Sequence, residues 1–394
     1  MPGISNRTIS VCCRHHPGLI SCEKDESGVE APVLDLVDLE NDHLDLYNHP
    51  RYRRAMILKE LAGRRSSEDI VKFEIPSRAA SNLDVYRKIH TARLIDFFAS
   101  AWKLWDDIGV GGQDSMCNGG GGKEASSPAL IPGNTPLPRE RIQRPSKNVM
   151  GQIGFFCTDT CTPVFGAMLE ELLWDGAVVE QAVAILKDNP SVVAYALGTH
   201  PGHHSAEDSF GGYCYVNHSA LAAKLLQERN GYSKVAILDV DYHCGNGTAS
   251  IYYQDPSVLV VSIHCHPDWE YPFHSGFSEE IGDAEGLGAT LHLPLMPGTT
   301  WEAYSKTLQD SLTKIEKFGA QALVVSLGLD TYLGDPCAVR RAGFNLEGDD
   351  YTYMGKAIGS ANLPTIVIQE GGYKMDSVPQ AVTDFLIAIC AAGE

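Results

Sequence analysis

The chain is 394 residues long and carries 31 Lys and Arg against 50 Asp and Glu, a formal charge of −19 with a pI near 5.1. Lys and Arg are interleaved with acids throughout, which argues against a nucleic-acid binder, since that needs a basic face to neutralise phosphates. The field suits a cationic substrate, although a solvated acidic surface is also an ordinary route to solubility.

In chain order, residues 1–45 are polar, hold the acidic run from Asp35 to Asp42 and show no sustained period, so they are read as an N-terminal extension. The start of the chain has neither a charged segment leading into an apolar run nor an Arg/Ser-rich amphipathic stretch, and no apolar run approaches about 18 residues. Eleven cysteines without paired spacing suit a reducing compartment. The expectation is a soluble intracellular protein with no membrane contact, in the cytoplasm, with the nucleus also open. Between Asn82 and Trp105, the residues Leu83, Tyr86, Ile89, Leu94, Phe97 and Phe98 recur at helical spacing and mark a core face. A Gly/Pro-rich insertion follows at about 109–145, its composition that of a flexible loop.

From Ile153 onward short β-branched runs alternate with longer amphipathic stretches, the α/β pattern of a single domain over 46–394. The runs Ser191 to Leu197, Val235 to Val240, Val258 to Ile263, Ala322 to Leu329 and Pro364 to Ile368 are nearly continuously apolar. Strands covered on both faces read this way, so a central, mainly parallel multi-stranded sheet flanked by helices is predicted. Helical patterns lie near Pro163 to Leu186, Asn217 to Glu228, Trp301 to Phe318, Asp349 to Gly359 and Ser377 to Cys390.

Chemistry-bearing residues collect just after these runs, where open α/β sheets bind ligands. Period-2 geometry places Asp239, Asp241 and His243 on one side of their strand, with a bend expected before His243. With Asp330 from another strand tip, an Asp/His/Asp set can bind a divalent cation and leave positions open for water and a carbonyl oxygen. Two oxygens and one nitrogen suit Zn²⁺, with Fe²⁺, Co²⁺ and Mn²⁺ open, and a hydrogen-bonded Asp cluster closing the strand ends is the plainer alternative. His203 and His204 offer two imidazoles for moving a proton, and the Gly371-Gly372 turn can present the Tyr373 phenol to a developing oxyanion.

These residues resemble the arginase-like histone deacetylase superfamily, and within it the acetylpolyamine amidohydrolases. The resemblance rests on Pro201-Gly202-His203-His204, Gly211 to Asn217, Leu238 to His243, Gly245-Asn246-Gly247-Thr248, Ser326 to Thr331 and Glu370 to Tyr373, in the family's order. It implies a zinc-dependent amide hydrolase with the arginase/deacetylase fold, in which Asp241, His243 and Asp330 hold one catalytic Zn²⁺. It further implies that His204 is the principal general base and acid, oriented by Asn246. His203 would be its electrostatic neighbour, oriented by Asp239, and Tyr373 the donor to the amide oxygen. Gly212 and Tyr213 would line the slot for the alkyl chain, with Glu270 and Phe273 near its mouth. A structural K⁺ or Na⁺ beside Asp239, Asp241, His243 and Ser262 is also implied.

Cys244 stands where the family usually has a second His, and Thr199-His200 replaces the Arg-Pro that commonly precedes Pro-Gly-His-His in this branch. The polyamine branch implies a small cationic acyl-amine substrate and a homodimer formed through the 109–145 insertion. An ammonium at the far end would prefer carboxylates at the rim, with Glu270, Asp114 and Glu124 as candidates and solvated loop charge as the plainer alternative. A protein lysine deacetylase is the alternative. A catalytically silent binding protein and a two-manganese ureohydrolase fit the residues less well, because every proposed catalytic position holds a competent group and the His203/His204/Tyr373 set points away from a ureohydrolase.

Overall fold

The apolar runs become neighbouring strands of one sheet. The computed structural model describes residues 7–14, 21–24, 30–33, 50–64, 71–76, 82–107, 129–133, 144–338 and 343–392. In order these form β1 (Ile9–Cys13), β2 (Ser21–Lys24), β3 (Glu30–Val33), α1 (Pro50–Arg64), β4 (Val71–Glu74), α2 (Ala92–Asp107), β5 (Ala129–Leu130), α3 (Val149–Phe156), β6 (Val164–Phe165) and α4 (Met168–Asp188). There follow β7 (Val193–Leu197), α5 (His218–Asn230), β8 (Val235–Asp239), α6 (Asn246–Ile251), β9 (Val258–Cys265), β10 (Thr290–Leu295), α7 (Trp301–Phe318), β11 (Ala322–Leu327), α8 (Gly348–Gly359), β12 (Thr365–Gln369) and α9 (Val378–Ala391).

Eight strands lie in the order β10-β9-β8-β11-β12-β7-β1-β4, every pairing parallel. Because successive side chains point to opposite faces, the sheet feeds two cores. Val235 and Ile237 of β8 pack with α2, α3, α4 and α5, whereas Ala236 and Leu238 pack with α1, α7, α8 and α9. From β7 the chain reaches β8, runs outward through β9 to β10, then crosses back to β11 on the other side of β8 and on to β12, which lies between β11 and β7. β8 and β11 therefore flank the point where the winding reverses, and the crevice past their carboxyl ends is the natural ligand site.

The structure corrects the N-terminal boundary. Residues 9–13, expected in an extension, form β1 between β7 and β4, every side chain buried. Ile-Ser-Val-Cys-Cys is too short to show a period, but its two cysteines behave as small apolar residues in the sheet interior. β10 was also hidden, because His292 and Pro294 interrupt its apolar sequence. As an outer strand bonded only to β9 it tolerates a proline and partly exposed side chains. Most of the rest of 1–45 and of the 109–145 insertion, including Asp114 and Glu124, lies outside the described residues. No described helix is long and apolar enough to cross a membrane.

Candidate active site

The tips after β7, β8, β11 and β12 open into one cavity of about 810 Å³, lined among others by His203, His204, Asp241, His243, Asp330 and Tyr373. At its floor, ligand atoms of Asp241, His243 and Asp330 lie within 4.8 Å of one another. His243 Nδ1 is 2.9 Å from Asp330 Oδ2 and 3.3 Å from Asp241 Oδ1. The backbone fixes both carboxylates: Gly371 N–H donates to Asp241 Oδ2 at 2.9 Å and Tyr242 N–H to Asp330 Oδ1 at 3.0 Å. Gly371 is required at this approach, since a Cβ there would stand 2.6 Å from Asp330 Oδ2 and 2.7 Å from Asp241 Oδ2.

Asp239 does not join this trio, because β8 ends there and the chain bends. Its Oδ1 accepts from Asp241 N at 3.1 Å and its Oδ2 from His203 Nδ1 at 2.9 Å. His204 Nδ1 lies 2.8 Å from Asn246 Oδ1, an acceptor, so the proton sits on Nδ1 and Nε2 is left as the basic atom. The two imidazoles are 4.0 Å apart between centroids. Their environments push them in opposite directions. Burial opposes charge on His203, but Asp241 and Asp239 outweigh it and raise the imidazole to about 10. For His204, burial and then the neighbouring His203 and His243 hold it well below its usual range. Such a pair offers one cationic and one neutral imidazole side by side.

Tyr373 also lines the cavity, its N–H donated to Asp335 Oδ2 at 2.6 Å. Burial pushes its phenol well above the ordinary range, opposed by Arg53, so it stays a neutral donor. Gly212 and Tyr213 line the cavity, with Gly212 N–H donated to Asp159 Oδ2 at 2.5 Å. Trp269, Glu270 and Phe273 also line it, and Trp269 and Phe273 are exposed. The Glu270 carboxylate accepts from the adjacent Tyr271 N–H at 2.9 Å, so it is partly engaged by its own loop. Ser262 pairs in register with Asp239 across β8 and β9, and its hydroxyl lies 2.9 Å from His264 Nδ1.

Several site residues escaped the sequence reading. Arg53 on α1 is buried, with its guanidinium carbon 5.4 Å from the centroid of the Tyr373 ring. Glu370, seen only as part of a motif, accepts from Gly202 N–H at 2.5 Å and His203 N–H at 3.2 Å and so positions the histidine turn. Asp335 does the same for the Tyr373 turn. Only a three-dimensional arrangement brings Arg53, some 320 positions away in sequence, beneath Tyr373.

The donor set fits a divalent cation. Asp239, Asp241, Asp330, Asp335 and Glu370 are all buried, whereas Arg53 is the sole Lys or Arg among the described residues lining the cavity. Buried carboxylates in such excess call for a compensating positive charge. Burial disfavours a charged His243, but its bonds to Asp241 and Asp330 win and raise it well above its normal range. A metal ion at that point would take over the role of the proton.

The histone deacetylase domain model matches residues 48–389. The chain belongs to the histone deacetylase family. The deacetylase is 34% identical over 319 residues to the acetylpolyamine amidohydrolase of Mycoplana ramosa, covering 79% of this chain and 85% of that protein. It is 34% identical over 296 residues to acetylpolyamine amidohydrolase 2 of Pseudomonas aeruginosa, covering 75% and 79%. The crystal structure of acetylpolyamine aminohydrolase from Burkholderia pseudomallei superposes with a TM-score of 0.76 at 26% identity, covering 98% of this chain and 99% of that one. Family and relatives make the deacetylase a metal-dependent enzyme of amide deacetylation.

Proposed function

We propose that the deacetylase removes acetyl groups from N-acetylated amines, with acetylpolyamines as its substrates, using one Zn²⁺ held by Asp241, His243 and Asp330. The observation that carries this reading is the convergence of that ligand set with a neutral and a cationic imidazole and a protonated phenol in one cavity. When bound, the ion supplies the Lewis acidity that polarises an amide oxygen and acidifies water. His204 Nε2 takes the proton of the attacking water, while Asn246 keeps the Nδ1 proton in place. His203, held by Asp239, opposes the charge that builds on the carbonyl oxygen, and the Tyr373 hydroxyl donates to that oxygen. His204 then returns the proton to the departing amine nitrogen, which leaves as a free amine beside acetate.

The acidic charge of the chain, the exposed aromatics at the mouth with Glu270 among them, and the names of the relatives support a small cationic acyl-amine. A structural K⁺ or Na⁺ beside Asp239, Asp241, His243 and Ser262, and a homodimer through the 109–145 insertion, belong to the same proposal. Rates of the zinc-loaded protein on acetylputrescine, acetylspermidine and an acetyl-lysine peptide, measured side by side, test it. Preference for the free amines is expected, and preference for the peptide would replace the polyamine reading by a protein lysine deacetylase.

A further inference from the structure

The lining of the cavity divides by depth. Tyr213, Trp269 and Phe273 are exposed at its mouth, whereas Arg53, His200 and Pro201 are buried and line its inner part. A substrate whose cationic amine faces the mouth turns its acyl group inward, so the inner lining is what the acyl group meets. Arg53 ties that lining to the reacting groups. Its guanidinium carbon is 5.4 Å from the centroid of the Tyr373 ring, and it donates to the Gly372 carbonyl at 3.4 Å and to the Thr199 carbonyl at 3.5 Å. Next to Thr199 stands His200, an imidazole that the proposed chemistry does not use, at the place where this chain departs from the Arg-Pro of its branch.

The ring of His200 is held in place. Its Nε2 lies 2.7 Å from Oε2 of Glu171, a buried carboxylate on α4. Tyr215 meets the ring edge-on at 4.9 Å between centroids, and Phe165 does so at 5.9 Å. The backbone beneath it is fixed as well: Asp175 on α4 accepts from Thr199 N–H at 2.8 Å, and Arg54 on α1 donates to the Thr199 hydroxyl at 2.7 Å. Swinging the imidazole aside would strip a hydrogen bond from a buried carboxylate, which the interior resists strongly.

We infer that His200, braced by Glu171, is the residue that limits the length of the acyl group. Its imidazole takes the space into which a propionyl or butyryl chain would extend, so acetyl fits and a longer chain meets a side chain that cannot move away. Packed interiors of this kind do not yield to added methylenes without strain. The inference rests on the proposed amide hydrolysis with the amine toward the mouth, and it concerns the acyl half of the substrate, on which that proposal assigns no residue.

The test measures kcat/KM of the full-length, zinc-loaded protein on N-acetyl-, N-propionyl- and N-butyrylputrescine, with the same acyl series on a lysine peptide in case the amine half is a protein side chain. Wild type should favour acetyl over butyryl by at least about 10-fold, since a pocket of fixed shape discriminates about that much per methylene. His200→Ala should narrow this ratio by about 10-fold, and so should His200→Pro, which restores the residue common in the branch. Glu171→Ala, which frees the ring without removing it, should narrow the ratio in the same direction, whereas Glu171→Gln still accepts from the imidazole and should keep it. A proportionate loss on all three substrates in the His200 variants, the mark of a merely structural role, would overturn the inference, as would a wild type that hydrolyses butyrylputrescine as fast as acetylputrescine. If His200→Ala does not fold, His200→Pro and the wild-type ratio decide. No turnover of any acyl-amine by wild type would instead refute the proposed function, and this inference with it.

Discussion

Replacing Tyr373 by Phe removes one hydroxyl and leaves its support in place. The Tyr373 N–H stays on Asp335 Oδ2, Arg53 stays over the ring at 5.4 Å and the Tyr213 ring at 6.0 Å, so phenylalanine should occupy the same position. What disappears is the neutral hydroxyl proposed to donate to charge that exists only during reaction. Loss of one oxyanion donor costs about 10²–10³-fold in kcat, or about 2.7–4 kcal/mol. Because the bond strengthens as the oxygen becomes charged, KM should move less than about threefold. Initial rates of acetate release from acetylputrescine, with metal content and thermal midpoint measured on the same samples, check this. A kcat within about threefold of wild type at full metal content would show that Tyr373 does not stabilise the oxyanion.

His204→Ala should lower kcat by about 10²–10⁴-fold, as loss of a positioned base does, and His203→Ala by less; equal losses measured in the same assay would contradict the division of labour. Glu370 is raised to about 7 from 4.5 by burial, against the pull of His203 and helped by Asp239. Its folded pKa exceeds the unfolded one, so its contribution is complete below about pH 4.5 and fades as pH rises through about 7, a loss on the order of 3 kcal/mol. Thermal midpoints from pH 5 to 8.5 should therefore fall more in wild type than in Glu370→Gln, and parallel curves would refute the assignment. Glu270→Gln should raise KM for acetylputrescine several-fold, about 1 kcal/mol for an exposed charge pair, with kcat unchanged; an unaltered KM in steady-state kinetics would remove Glu270 from the rim.

What could be read from the sequence follows from which forces act locally. β8 and β11 are nearly continuous apolar runs because both faces are covered, and the polar residues at and beyond their ends stand out by contrast. The clustering of Asp241, His243 and Asp330 follows from the parallel sheet, since adjacent strands deliver their tips to one place. β1 and β10 had no such signature, one being five residues inside a polar region and the other an outer strand interrupted by His292 and Pro294. Arg53, Glu370 and Asp335 act through tertiary contacts that no spacing encodes: each holds a backbone turn or a ring contributed by a distant element. The bend after β8 diverts Asp239 from the Asp241/His243/Asp330 cluster to His203, a distinction that strand periodicity alone does not make.

In the proposed function, amide hydrolysis depends on a divalent ion held at the reversal between β8 and β11. The most direct test compares wild type with Asp330→Asn for bound zinc and for acetate release from acetylputrescine. Asp330→Asn is expected to lose the ion at this site and at least about 10³-fold of the rate, since removing a ligating carboxylate removes the Lewis acid. Wild-type turnover by Asp330→Asn with its metal complement intact would contradict it.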